Sequence, residues 1–218
     1  GDWDYLGFGI HSFASYEIFK RLSMSFESYM LSNSCNLFTT GAAKNKLGAG
    51  SAGNLFENIV LWLRPIAEET ITLKALSNSE ERIELTLPSS QILPTHWKAN
   101  KTEDRLNPGY LYKPRTSNLE SGDCFCVVEH NGGYWLLVLQ MTVASTHPVK
   151  VNGLKEIVLA YSLEVQYALT RKLIVFVIPQ NGELRTLQPL HTQTGKVAEV
   201  IPAQVEGFEQ FVCEYRIQ

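Results

Sequence analysis

The chain has 218 residues, a net charge of −3, and 44% hydrophobic against 19% charged residues. That is enough apolar material to bury a core and suits one domain, or one domain with a helical appendage. The charge excludes a protein that coats nucleic acid non-specifically, and no apolar run approaches the roughly eighteen residues of a membrane span. Cys35, Cys124, Cys126 and Cys213 lack metal-ligand spacing, and the Cys124-x-Cys126 pair sits on one strand face too close in sequence for an unstrained disulfide. Buried free thiols are expected. No secretory hydrophobic segment is present, and the opening at Gly1 without methionine reads as a fragment excised from a longer protein.

In chain order, Phe13, Tyr16, Ile18, Phe19, Leu22, Phe26, Tyr29 and Met30 give His11 to Leu31 a helical period. Ser32 to Gly53 is rich in Asn, Ser, Gly and Thr, but lacks the spacing of a phosphate-binding loop, and Lys44 and Lys46 precede its glycines. Ser51 is placed to cap a helix whose stripe is Leu55, Phe56, Ile59, Val60 and Leu63, ending at Arg64-Pro65. Glu57 lies beside its polar face. Thr70 to Leu76 and Glu81 to Leu87 alternate as strands around the turn Ser77-Asn78-Ser79 and predict a hairpin. Pro88 to Asn107 has no period and reads as a long loop, with Trp97 placed either to stack on a base or to plug the core. Lys98, Lys101, Arg105, Lys113 and Arg115 outnumber Glu103 and Asp104 along this stretch; a weaker excess comes from Lys150, Lys155, Arg171 and Lys172 against Glu156 and Glu164. Either is a phosphate-binding patch or a solvated surface.

The stretch from Gly109 to Gly153 carries the strongest signal. Asp123 to Glu129 is β-branched and aromatic, Asn131-Gly132-Gly133 is a hairpin turn, and Tyr134 to Val143 is a long apolar strand. Gln140 and Thr142 break that apolar run two residues apart, which puts them on one face at the end of the strand. They are either a cross-strand polar pair or part of a site with Asp123. His147-Pro148 closes the strand. Asn152 is placed to cap a helix over Gly153 to Leu169, and Lys172 to Ile178 reads as a strand buried on both faces, so the strand–helix–strand order predicts a crossover and a parallel pair. In the tail, Val197 to Ile201 is a short strand candidate, Pro202 to Val205 a helical turn, and Glu209 to Ile217 a final strand. The fold expected is α/β, with a mixed sheet flanked by helices.

An acidic residue opening one strand, followed across a hairpin by a [D/E/Q]-x-[K/T] pair, resembles the PD-(D/E)XK (restriction-endonuclease-like) nuclease pattern. More narrowly, the segments L-Y-K-P-R-T-S-N-L-E-S-G-D-C-F, L-L-V-L-Q-M-T-V-A-S-T-H-P-V-K-V-N-G-L and G-A-G-S-A-G-N-L-F-E resemble the C-terminal nuclease-like domain of Crinkler effectors and the related retrotransposon-hot-spot proteins of trypanosomes. The resemblance runs from about Gly41 onward. It implies an α/β nuclease-like domain over 41–218 behind an N-terminal helical extension over 1–40. The superfamily core, a helix, three strands, a helix and a strand, would lie on Ser51 to Ile178.

The same resemblance implies catalytic roles for Glu57, Asp123, Gln140 and Thr142, with Asp123, Glu57 and Gln140 as ligands of Mg²⁺ or Mn²⁺. Read from the sequence alone, Glu57 equally suits a first-turn glutamate that complements the helix dipole. Gln140 supplies a neutral carbonyl where many relatives carry a carboxylate, and Thr142 replaces the superfamily lysine, so a positive charge is missing. His147 and Lys150 stand a few residues downstream as candidates to supply it. Lys98, Lys101, Lys113 and Arg115 would bind backbone phosphate beside the pocket. The partners implied are host DNA and host nuclear proteins, met by a domain that a pathogen secretes and that acts in the host nucleus. The alternative is a degenerate nuclease fold kept as a protein-interaction module.

Overall fold

The computed structural model describes residues 48–63, 65–78, 80–92, 107–113, 121–160 and 168–217, with positions 33 and 37–38. The expected helix over 11–31, and with it nearly all of the helical extension over 1–40, lies outside them. Helix α1, Ala49–Asn58, runs on into a π-helical turn, Ile59–Leu63. Ser51 does not cap it. The N-cap is Gly48 at φ 77, without a side-chain bond, and the Gly48 carbonyl accepts the Ala52 N–H at 3.0 Å. The helix starts two residues before Ser51 because glycine reaches the left-handed conformation this entry uses.

Strands β1 (Thr70–Ala75) and β2 (Arg82–Thr86) form the expected hairpin, in register from Thr70↔Thr86 to Lys74↔Arg82. The segment read as a loop from Pro88 holds a strand instead: β3, Ser89–Ile92, runs parallel to β4, Tyr110–Lys113. Both are four residues long, too short for an alternating pattern to stand out. Strand β5 (Cys124–His130) returns through Asn131 (φ 51) and Gly132 (φ 75) into β6 (Gly133–Met141). Two successive positive φ values are the two-residue hairpin turn that Asn-Gly favours. Gly133 is itself constrained, because a Cβ there would stand 2.5 Å from Thr170 Oγ1.

Beyond β6 come β7 (Val149–Lys150), helix α2 (Val151–Ala160), β8 (Leu169–Pro179), β9 (Leu190–His191) and β10 (Phe208–Tyr215). Asn152 lies inside α2 rather than capping it, and Leu169 opens β8 rather than ending the helix: the short β7 delivers the chain directly into the helix. The 197–201 strand candidate reduces to a single bridge, His191↔Val197. The turn at Pro202 is hydrogen-bonded, with the Val205 N–H on the Pro202 carbonyl at 2.8 Å.

Eight strands make one mixed sheet in the order β2-β1-β10-β8-β6-β5-β4-β3, and β7 pairs with β9 apart from it. The β6–α2–β8 crossover yields the parallel pair expected, from Tyr134↔Leu169 to Met141↔Val177. Each sheet face has its own core. Ala52 and Phe56 of α1, with Ile59 and Val60 of the π-helical turn, pack on Leu137, Leu139, Val175 and Phe211, while Leu154, Ile157 and Val158 of α2 pack with Leu136, Val138, Ile174 and Phe176. The molecule is therefore α/β, one layer of sheet between helices. Cys124, Cys126 and Cys213 are buried and unbridged, as expected.

Candidate functional site

The parallel strands β6 and β8 end at one edge of the sheet, where β4 also ends and antiparallel β5 begins. Polar side chains gather there. Asp123 stands one residue before β5, its N–H on the Leu139 carbonyl at 2.8 Å. Its Oδ2 accepts the Met141 N–H at 2.6 Å and the Gln140 Nε2–H at 2.9 Å. Gln140 alternates with Leu139 and Met141, which face α1, so it lies on the α2 side, in register with Phe176. The Met141 N–H lies in the plane of the sheet. The carboxylate therefore sits at the sheet's end, between its two faces.

Glu57 reaches it from the other layer. Burial pushes the Asp123 carboxyl up to about 7, and the negative charge of Glu57 adds to that rise, while the Met141 N–H and the Gln140 amide oppose it. Glu57 is half-buried and its own pKa is raised by burial. The negative charge of Glu57 disfavours ionisation of Asp123, and the two carboxylates form the electrostatic centre of this edge.

Thr142 is buried on the same face as Gln140, but its hydroxyl is used locally, accepting the Ala144 N–H at 3.1 Å. His147 packs beside Phe176, ring centroids 6.3 Å apart, and burial lowers its pKa, so the imidazole is neutral at neutral pH. Its backbone N–H donates to Oε1 of buried Gln188 at 2.6 Å. Lys150 is half-buried in β7, tied through its backbone to Ser121.

Of the expected phosphate-binding cations, Lys98, Lys101 and Arg115 lie outside the described residues. Lys113 is placed differently from its expected role. It is 4% exposed, shares the α1 side with Leu111 while Tyr112 between them faces α2, and its Nζ donates to the Leu61 carbonyl in the π-helical turn at 2.9 Å. A lysine on the last carbonyls of a helix is favourable for the helix dipole, and burial lowers its pKa, partly offset by the Cys124 sulfur. Lys113 thus anchors the helix that carries Glu57 and does not present its charge to phosphate. Arg171 and Lys172 open β8 at the far end of the sheet: Arg171 grips Glu209 and Glu81, and Lys172 Nζ donates to the Gln204 carbonyl at 3.0 Å. Apolar neighbours in the sequence gave no sign that Lys113 turns inward. The roles of Ser121 and Gln188 depend on partners at least 29 residues away.

Among the described residues no cluster of three or more His, Cys, Asp or Glu side chains could hold a metal ion. Asp123 and Glu57 are nevertheless the hard oxygen donors that Mg²⁺ takes one or two at a time, completing its shell with water and phosphate. Gln140 turns its amide N–H toward Asp123, so it serves here as a hydrogen-bond donor to the carboxylate and not as a neighbouring ligand. No protein-family model, curated protein or solved structure matches the chain.

Proposed function

We propose that the chain is a nuclease-like domain of the PD-(D/E)XK type, similar to the C-terminal domain of Crinkler effectors, that binds nucleic acid and cleaves it slowly with Mg²⁺ or Mn²⁺. What supports this reading above all is the placement of Asp123, at the start of β5, against Gln140, near the end of β6, with Glu57 approaching from α1. The order α1, antiparallel β4-β5-β6, α2 and parallel β8 is consistent with the superfamily's helix, three strands, helix and strand. The hairpin β1–β2 and strand β3 are then additions between the first helix and the core.

On this reading Asp123 and Glu57 hold the cation, which would polarise a phosphodiester and lower the pKa of a bound water. Gln140 and the Met141 N–H keep the Asp123 carboxylate in place. Neutral His147 is able to take a proton from an attacking water, and Lys150 is the candidate for the charge that Thr142 lacks. The resemblance adds host DNA as substrate and the host nucleus as the place of action of a secreted effector. The second reading, a catalytically degenerate module that binds host nuclear proteins, is favoured by the engaged hydroxyl of Thr142 and the amide orientation of Gln140.

The test is calorimetric titration of Mg²⁺ and Mn²⁺ into wild type, Asp123→Asn and Glu57→Gln at pH 8. We expect binding to wild type and at least about tenfold weaker binding to each variant, as fits the loss of one carboxylate ligand. Equal affinity in all three proteins would overturn the assignment of the two carboxylates to metal.

A further inference from the structure

We propose that Ser121 is the residue that positions Asp123: its hydroxyl bonds to both backbone groups of Lys150, pinning the 121–123 turn so that the carboxylate meets the Met141 N–H. The Ser121 Oγ accepts the Lys150 N–H at 2.5 Å and donates to the Lys150 carbonyl at 2.8 Å. Strand β7 explains why that double bond is available. The Val149 N–H goes to the Pro189 carbonyl of the β9 side at 3.1 Å, which leaves the N–H and C=O of Lys150 on the opposite edge. A serine hydroxyl, at once donor and acceptor, meets both groups there and does for Lys150 what a neighbouring strand would do.

The backbone of Ser121 carries a cost that points the same way. Its φ is 67, a left-handed conformation that a residue with a Cβ adopts only when its surroundings hold it there. Buried Gly122 then leads directly to Asp123, whose Oδ2 lies 2.6 Å from the Met141 nitrogen. The turn is thereby fixed at both ends: by Ser121 to the segment that starts α2, and by Asp123 to the end of β6. Two side chains of one short link thus hold backbone groups from two other parts of the chain. This inference takes Asp123 as the centre of the site, as proposed above, but its test uses neither metal nor nucleic acid, so either idea can fail alone.

The experiment is amide hydrogen exchange by NMR on wild type, Ser121→Ala and Ser121→Gly. In wild type, the Lys150 and Met141 amides should both be protected and exchange through a common opening. Both variants should speed Met141 exchange about tenfold or more, as expected for loss of a supporting hydrogen bond, while Val138 and Val175 in the central strands keep their protection. The glycine variant relieves the left-handed strain but lacks the hydroxyl. Wild-type protection of Met141 in Ser121→Gly would show that backbone conformation alone sets the turn and would overturn the proposal. If neither variant folds, the wild type still decides: a freely exchanging Lys150 amide beside a protected Met141 amide would overturn it as well.

Discussion

A carboxyl that titrates near neutrality changes how the protein responds to pH. The Asp123 carboxyl is raised by burial and by Glu57 to about 7, whereas in the unfolded chain it ionises near the ordinary value of about 4. The folded state therefore holds a proton that the unfolded state has already lost. By linkage, stability is fully present below about pH 4 and is lost as pH rises towards 7. We expect a loss of about 2 kcal/mol across that window, less than the full displacement implies because solvent reaches the residue. Asp123→Asn keeps an acceptor for the Met141 N–H and carries no charge, so its urea-unfolding curves at pH 4.5 and 7.5 should differ less than those of wild type. An equal pH dependence in both proteins would show that Asp123 ionises normally.

At the scale of elements, a buried lysine and a half-buried arginine fasten the layers in different ways. Lys113 ties β4 to the π-helical turn after α1 through the Leu61 carbonyl. Lys113→Met fills a similar volume but leaves that carbonyl unpaired, and we expect a loss of about 1–3 kcal/mol on urea unfolding. Arg171 joins the β1–β2 hairpin to the central strands: it pairs with Glu209 and Glu81 and lies over Trp135, 4.8 Å from the ring centroid. Arg171→Leu should cost about 1–2 kcal/mol by removing both the fork to Glu209 and the bond to Glu81, whereas Glu81→Gln, which weakens a single bond, should cost under about 1 kcal/mol. Equal losses would mean that hairpin docking, and not the fork to Glu209, carries the effect. The hairpin β5–β6 was legible in the sequence because Asn131-Gly132 fixes its turn and β-branched residues flank it. The polarity of Gln140 and Thr142 in an apolar strand marked the end of β6 as the place where polar side chains gather. Strands β3 and β4 were not legible, since four residues leave no period to read, and the start of α2 was misplaced because β7 is set by pairing with β9, 40 residues later in the chain.

At the scale of the whole molecule, a net charge of −3 limits the number of phosphates the domain can neutralise. With Lys113 buried, Lys98, Lys101, Arg115 and Lys150 remain as candidate contacts. Duplex binding should therefore be weak, with a log–log salt slope of about −3.6 if all four engage; a slope near zero at measurable affinity would point to contacts other than phosphate. On the nuclease reading proposed above, Thr142 stands where that superfamily carries a lysine, and one positioned electrostatic group is commonly worth about 10²–10³ in rate, so turnover should be slow. The most direct measurement is nicking of supercoiled plasmid with Mg²⁺ or Mn²⁺ by wild type and Asp123→Ala purified side by side. We predict slow, metal-dependent nicking by wild type and none by Asp123→Ala; the same residual activity in both, or none in either, would contradict a nuclease centred on Asp123.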